Sequence, residues 1–104
     1  MESLTVIEDL IGFETVSRDS NLPLIDFVQN FLYDHGVDSR RVPSADGRKS
    51  NLIASVGPEV AGGIVLSGHT DVVPVDGQDW SRDPFAFHRR GDRWYGRGSC
   101  DMKG

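Results

Sequence analysis

The stretch Ile64-Val65-Leu66-Ser67-Gly68-His69-Thr70-Asp71 passes from a continuous aliphatic run into a string of small and polar residues. An unbroken β-branched and aliphatic run is the pattern of a strand buried on both faces, so residues 64–66 are expected to form a central strand. The polar residues would then sit at its carboxyl end, where open α/β sheets bind ligands. His69 and Asp71 are two positions apart, and in extended backbone that spacing points both side chains to one face. A carboxylate beside an imidazole can fix the ring tautomer and raise its basicity as a metal ligand. The same His-x-Asp pattern also suits a hydrogen-bonded surface turn, and the two residues alone leave both readings open.

Upstream of this stretch the periodicity is first helical and then extended. Leu4, Ile7 and Ile11 share a helical face, Thr5 and Glu8 have capping-box spacing, and a short helix is expected to end near Gly12. Arg18-Asp19-Ser20-Asn21 is a turn signal ahead of Pro23, which suits a first helical turn. Leu24, Val28, Phe31 and Leu32 then recur at helical spacing, and Asp34-His35-Gly36 supplies a glycine stop. Val37 to Val42 and Asn51 to Val56 read as two strands around the polar turn Ser44-Ala45-Asp46-Gly47-Arg48-Lys49.

Downstream, Phe85 and Phe87 alternate with polar neighbours, Gly91-Asp92 makes a two-residue turn, and Arg93-Trp94-Tyr95 answers as a second extended stretch. Trp80, Phe85, Trp94 and Tyr95 are expected to pack this hairpin rather than stack on a ligand. After it comes Gly96-Arg97-Gly98-Ser99-Cys100-Asp101-Met102-Lys103-Gly104, whose glycines allow close backbone approach and could deliver Asp101 to a fixed place. A carboxylate can bridge two cations that share an activated water, and a His plus Asp donor set suits Zn²⁺ or Co²⁺. An aspartate after a glycine-rich stretch is more often a helix N-cap than a ligand, so spacing alone leaves Asp101 undecided. Gly96-x-Gly98 lacks the third glycine of a dinucleotide fingerprint. Cys100 is more readily a small hydrophobe than a nucleophile served by His69, and His35 and His88 read as structural or solvated.

Composition bounds the remaining possibilities. With 104 residues, 38% hydrophobic and 26% charged content, the chain is expected to be one folding unit or part of one, of α/β class. A net charge of −5 argues against nucleic acid or an anionic membrane as partner. The longest apolar stretch, Val60 to Leu66 with two glycines inside, falls far short of the roughly 18 residues of a membrane span. Acidic residues in MESLTVIEDL stand where a secretion signal carries positive ones, and one cysteine closes no internal disulfide. A cytoplasmic location is the expectation.

Taken together, Ser67-Gly68-His69-Thr70-Asp71-Val72-Val73-Pro74, Trp80 with Asp83-Pro84-Phe85, Tyr95-Gly96-Arg97-Gly98 and Asp101-Met102-Lys103-Gly104 resemble the N-terminal signature of the M20 metallopeptidase and amidohydrolase family. Leu10-Ile11-Gly12-Phe13 through Thr15-Val16-Ser17 resembles the helix and loop that open such chains, so the resemblance covers essentially the whole sequence and is densest after residue 64. It implies the N-terminal part of a zinc-peptidase-like catalytic domain, a mixed sheet flanked by helices. It implies two divalent metal ions, Zn or Co, with His69 a ligand of one, Asp71 the catalytic residue orienting that histidine, and Asp101 the bridge between them. The implied reaction is hydrolysis of a small-molecule N-acyl amino acid, most closely N-acetylornithine to ornithine and acetate in arginine biosynthesis, with a succinylated diamino acid or a dipeptide as alternatives. Family members continue past the counterpart of Gly104 with a glutamate general base, further ligands and a lid domain that makes the homodimer interface. Residues 1–104 are therefore expected to be an amino-terminal fragment of the catalytic domain, inactive alone, and a non-catalytic truncated remnant is the reading of a different class.

Overall fold

A computed structural model describes residues 2–104, in the order α1 (Ser3–Gly12), α2 (Leu22–Asp34), β1 (Ser39–Pro43), β2 (Ser50–Ala54), β3 (His88–Arg90) and β4 (Arg93–Tyr95). The described residues are thus of mixed α and β content. Their strands form two separate two-stranded antiparallel sheets, β1 with β2 and β3 with β4. The mixed, helix-flanked layer implied by the resemblance is not assembled among them. Two compact units divide the chain: one runs up to Ser20 and resumes at His69–Gly104, and the other is Asn21–Gly68.

In the second unit, α2 begins with Pro23 in its first turn, where the missing N–H breaks no helical hydrogen bond. Leu24 and Ile25 are its buried residues, while Val28, Phe31 and Leu32 are half-buried. The helix stops in a Schellman arrangement: Val37 N donates to Leu32 O at 2.9 Å and Gly36 N to Tyr33 O at 2.9 Å, with Gly36 at φ +75°. That left-handed conformation is open to glycine at no steric cost. β1 and β2 pair from Ser39 with Ala54 to Pro43 with Ser50, overlapping the expected Val37–Val42 and Asn51–Val56 but each extending one residue further into the turn. Asn21 joins this hairpin to the start of α2, since its Nδ2 donates to Ser50 O at 2.9 Å and its Oδ1 accepts from Ser50 N at 3.0 Å. Arg41 of β1 donates through Nε to Gln29 Oε1 at 2.8 Å and pairs with Asp26, both on α2.

Residues 64–66 do not form a strand. Ile64, Val65 and Leu66 are 90%, 91% and 93% exposed, the opposite of the burial expected on both faces. Aliphatic composition expresses a preference for extended backbone, but a strand also needs a neighbouring backbone, and no described segment pairs with this one.

In the first unit, α1 presents Ile11, fully buried, to Gly96 and to Phe87, which lie close enough that a Cβ on Gly96 would stand 2.9 Å from Ile11 Cγ2 and 3.6 Å from Phe87 Cδ2. The helix begins at Ser3 rather than at a Thr5 cap: Glu2 is extended, and its carbonyl accepts from Thr5 N at 3.0 Å, so Thr5 already lies in the first turn. After Gly12 the chain straightens, and Val16 forms a parallel bridge with Val72. Both are buried, as is Thr15 between them and the helix end. β3 and β4 close the hairpin at Gly91-Asp92, as the turn signal predicts, with Phe87 stacked on Trp94 at 4.8 Å and His88 on Tyr95 at 5.6 Å. Trp80 lies instead under the Arg97 guanidinium, 5.3 Å from ring centroid to Cζ.

Candidate metal centre

His69 and Asp71 are delivered by the Val16–Val72 bridge rather than by a strand over 64–66. Val72 N donates to Thr15 O at 2.9 Å and Ser17 N to Val72 O at 3.1 Å, while the Thr15 hydroxyl donates to Thr70 O at 2.5 Å. The backbone immediately after His69 is therefore tied to the loop that follows α1. Within this extended piece the two-residue spacing acts as expected: His69 Nδ1 lies 3.1 Å from both the carbonyl oxygen and Oδ1 of Asp71.

Asp101 reaches the same place from the far end of the unit. Its loop is closed by Lys103 N donating to Gly98 O at 2.7 Å and by Ser99 N donating to Gly96 O at 3.1 Å. Gly98 has φ +91°, and a Cβ there would stand 2.9 Å from Val72 Cγ1, so the loop packs directly on the bridge. Lys103, only 7% exposed, runs beneath the loop and donates from Nζ to Phe13 O at the end of α1, 2.7 Å away. Burial lowers its pKa to about 8. So held, Asp101 brings Oδ1 to 2.9 Å from His69 Nε2, and Met102 Sδ accepts from His69 N at 3.4 Å. His69, Asp71 and Asp101 line one open cleft of about 520 Å³, together with Ser17, Arg97 and Cys100.

The electrostatics follow from these contacts. The Asp101 carboxylate, then the Asp71 carbonyl, hold the His69 pKa above its ordinary value. The Ser17 hydroxyl donates to Asp71 Oδ2 at 2.5 Å and, with the His69 charge, holds that carboxyl below the usual range. Both imidazole nitrogens therefore face carboxylates, and the two carboxylates compete for one ring.

The donor chemistry can be tested against a metal. Were Nδ1–H donated to Asp71 and the proton between Nε2 and Asp101 given up, the neutral His69 ring would present its Nε2 lone pair where a divalent cation could replace that proton. One imidazole nitrogen plus one carboxylate oxygen suits zinc-like ions, but it is half of a tetrahedral set. Among the described residues no third His, Cys, Asp or Glu completes a group with them. The pair fits as a partial ligand set. Cys100 is exposed, and His35 and His88 keep to their own elements, with Nδ1 near Phe31 O at 2.7 Å and near Ala86 O at 3.0 Å.

Three residues not singled out from sequence take part. Ser17, Thr15 and Lys103 all contact backbone or side chains remote in the chain, and the only local trace of the first two is the β-prone Thr15-Val16-Ser17 after a helix end.

The segment carrying both His69 and Asp101 matches the model of peptidase family M20/M25/M40 over residues 65–104. Those residues are similar to the M20 family. Relatives extend the similarity to the rest of the chain: "Acetylornithine deacetylase" of Klebsiella pneumoniae (strain 342) is 44% identical over 103 residues, covering 98% of this chain and 27% of its own length. The proteins of the same name from Shigella sonnei (strain Ss046) and Edwardsiella ictaluri (strain 93-146) are 42% and 45% identical, over 98% and 82% of this chain and 27% and 22% of theirs. The chain thus spans about a quarter of the length of the curated relatives it matches. The M20 segment and its flanks contain no helix long and apolar enough to cross a membrane, among the described residues.

Proposed function

We propose that this chain supplies the first part of the metal centre of an M20 amidohydrolase that cleaves N-acyl amino acids, with N-acetylornithine as the substrate and ornithine and acetate as products. The observation that carries the reading is the meeting of His69 Nε2 and Asp101 Oδ1 at 2.9 Å while Nδ1 is engaged by Asp71. The relatives' shared name supports the choice of substrate.

In this reading His69 and Asp101 would hold a divalent ion, Zn²⁺ or Co²⁺. Such ions, when bound, lower the pKa of an attacking water and polarise the amide carbonyl. Asp71 keeps His69 in the Nδ1–H tautomer and its ring aimed at the cleft. Val72, Val73 and Gly96–Gly98 form the cleft wall beside these residues. The proton-transferring base, the remaining ligands and a lid that makes a homodimer would come from parts of a longer polypeptide corresponding to the other three-quarters of the relatives. The 104 residues alone are then without hydrolytic activity.

The test is turnover of N-acetylornithine by a polypeptide of the relatives' length that contains these residues, compared with Asp101→Ala. Loss of a direct ligand is expected to exceed the roughly 10- to 100-fold effect typical of outer-shell partners, together with a loss of bound metal. Near-normal turnover and metal content in that variant would refute the assignment. Parallel assays on N-succinyl amino acids separate the acyl specificities.

A further inference from the structure

Asp71 uses its two carboxylate oxygens differently. Oδ1 faces His69 Nδ1 at 3.1 Å, and Oδ2 accepts from the Ser17 hydroxyl at 2.5 Å. Ser17 is held independently of that bond, because its own N donates to Val72 O at 3.1 Å within the bridge to Val16. The hydroxyl is thus fixed by backbone one residue beyond Asp71, on a segment 54 positions away in sequence. Asp71 is about half exposed, so without this donor its carboxylate is free to turn toward water, leaving His69 Nδ1 to the Asp71 carbonyl oxygen alone, also 3.1 Å away.

We infer that Ser17 is a positioning residue for the metal centre: by occupying Asp71 Oδ2 it keeps Oδ1 on His69 Nδ1 and so keeps His69 Nε2 directed at Asp101. The loop after α1 then sets the readiness of the ring to take a metal. The inference rests on the proposed role of His69 as a ligand. Its substrate-independent consequence is a metal affinity that depends on one hydroxyl.

The experiment measures Co²⁺ affinity and the visible absorption of bound Co²⁺ in the intact protein and in Ser17→Thr, Ser17→Val and His69→Ala, with thermal unfolding of each followed in parallel. Threonine and valine have the same shape and differ in the hydroxyl, so packing is matched. Ser17→Val should bind Co²⁺ about tenfold more weakly, the low end for loss of an outer-shell partner, with an altered spectrum, and Ser17→Thr should restore both. If Ser17→Val and Ser17→Thr bind alike, or if the valine variant loses thermal stability and keeps its Co²⁺ affinity, the positioning role is overturned while the metal reading stands. If His69→Ala binds Co²⁺ as the unsubstituted protein does, the metal reading itself fails and the inference with it.

Discussion

Asp46 sits in the β1–β2 turn, where its carboxylate accepts from Arg48 N at 3.0 Å and from the Ser44 hydroxyl at 2.8 Å. These bonds, the amide first, hold its pKa below the ordinary 3.8. A depressed carboxyl contributes stability that is complete above its unfolded value and is lost as pH falls through the lower folded one. The Arg48 amide proton should therefore titrate with a midpoint below 3.8, and Asp46→Ala should abolish the transition. A midpoint at or above that value, followed by NMR, would contradict the account of the turn. At this scale the sequence was partly readable. The neighbourhood of His69 and Asp71 follows from a two-residue period, which is local. Ser17 and Lys103 were not readable, because each acts on a group fixed by tertiary contact, across 54 and 90 positions.

Among elements, the helices and hairpins were legible because their signals are short-range: Pro23 and Gly36 bracket α2, and Gly91-Asp92 turns β3 into β4. The Thr5–Glu8 capping box misled because Glu2, already extended, starts the helix with its backbone carbonyl alone. Residues 64–66 misled because strand formation depends on a partner that a hydropathy run does not reveal. Two substitutions probe how elements are joined. Asn21→Ala removes both bonds to the buried Ser50 backbone, and denaturant unfolding should show a loss of about 1–3 kcal/mol, more than a surface asparagine would give. Gly98→Ala adds a Cβ 2.9 Å from Val72 Cγ1 at φ +91°, and strain plus overpacking should cost about 1–3 kcal/mol and displace the Asp101 loop. Full retention of stability by the alanine variant would mean that the loop does not pack on the bridge as described.

At the scale of the whole molecule, the buried hydrophobic side chains among the described residues are few: Ile11, Val16 and Val72 in one unit, Leu24 and Ile25 in the other. Against this stands the exposed run Ile64-Val65-Leu66, aliphatic and without a paired backbone among the described residues. An exposed extended apolar segment is a template for association. The 104-residue chain should self-associate with rising concentration in sedimentation experiments, and Val65→Lys should shift it toward monomer; an unchanged distribution would show that this run is not the contact.

The most direct test is ring-nitrogen NMR of selectively labelled histidine, with His69 assigned by its loss in His69→Ala, on adding Zn²⁺. Coordination at Nε2 with Nδ1 still protonated predicts a large shift of the His69 Nε2 resonance alone, no comparable change at His35 or His88, and a markedly higher Zn²⁺ requirement in Asp101→Ala. A His69 ring indifferent to Zn²⁺, or one that responds equally well without the Asp101 carboxylate, would contradict the shared metal centre.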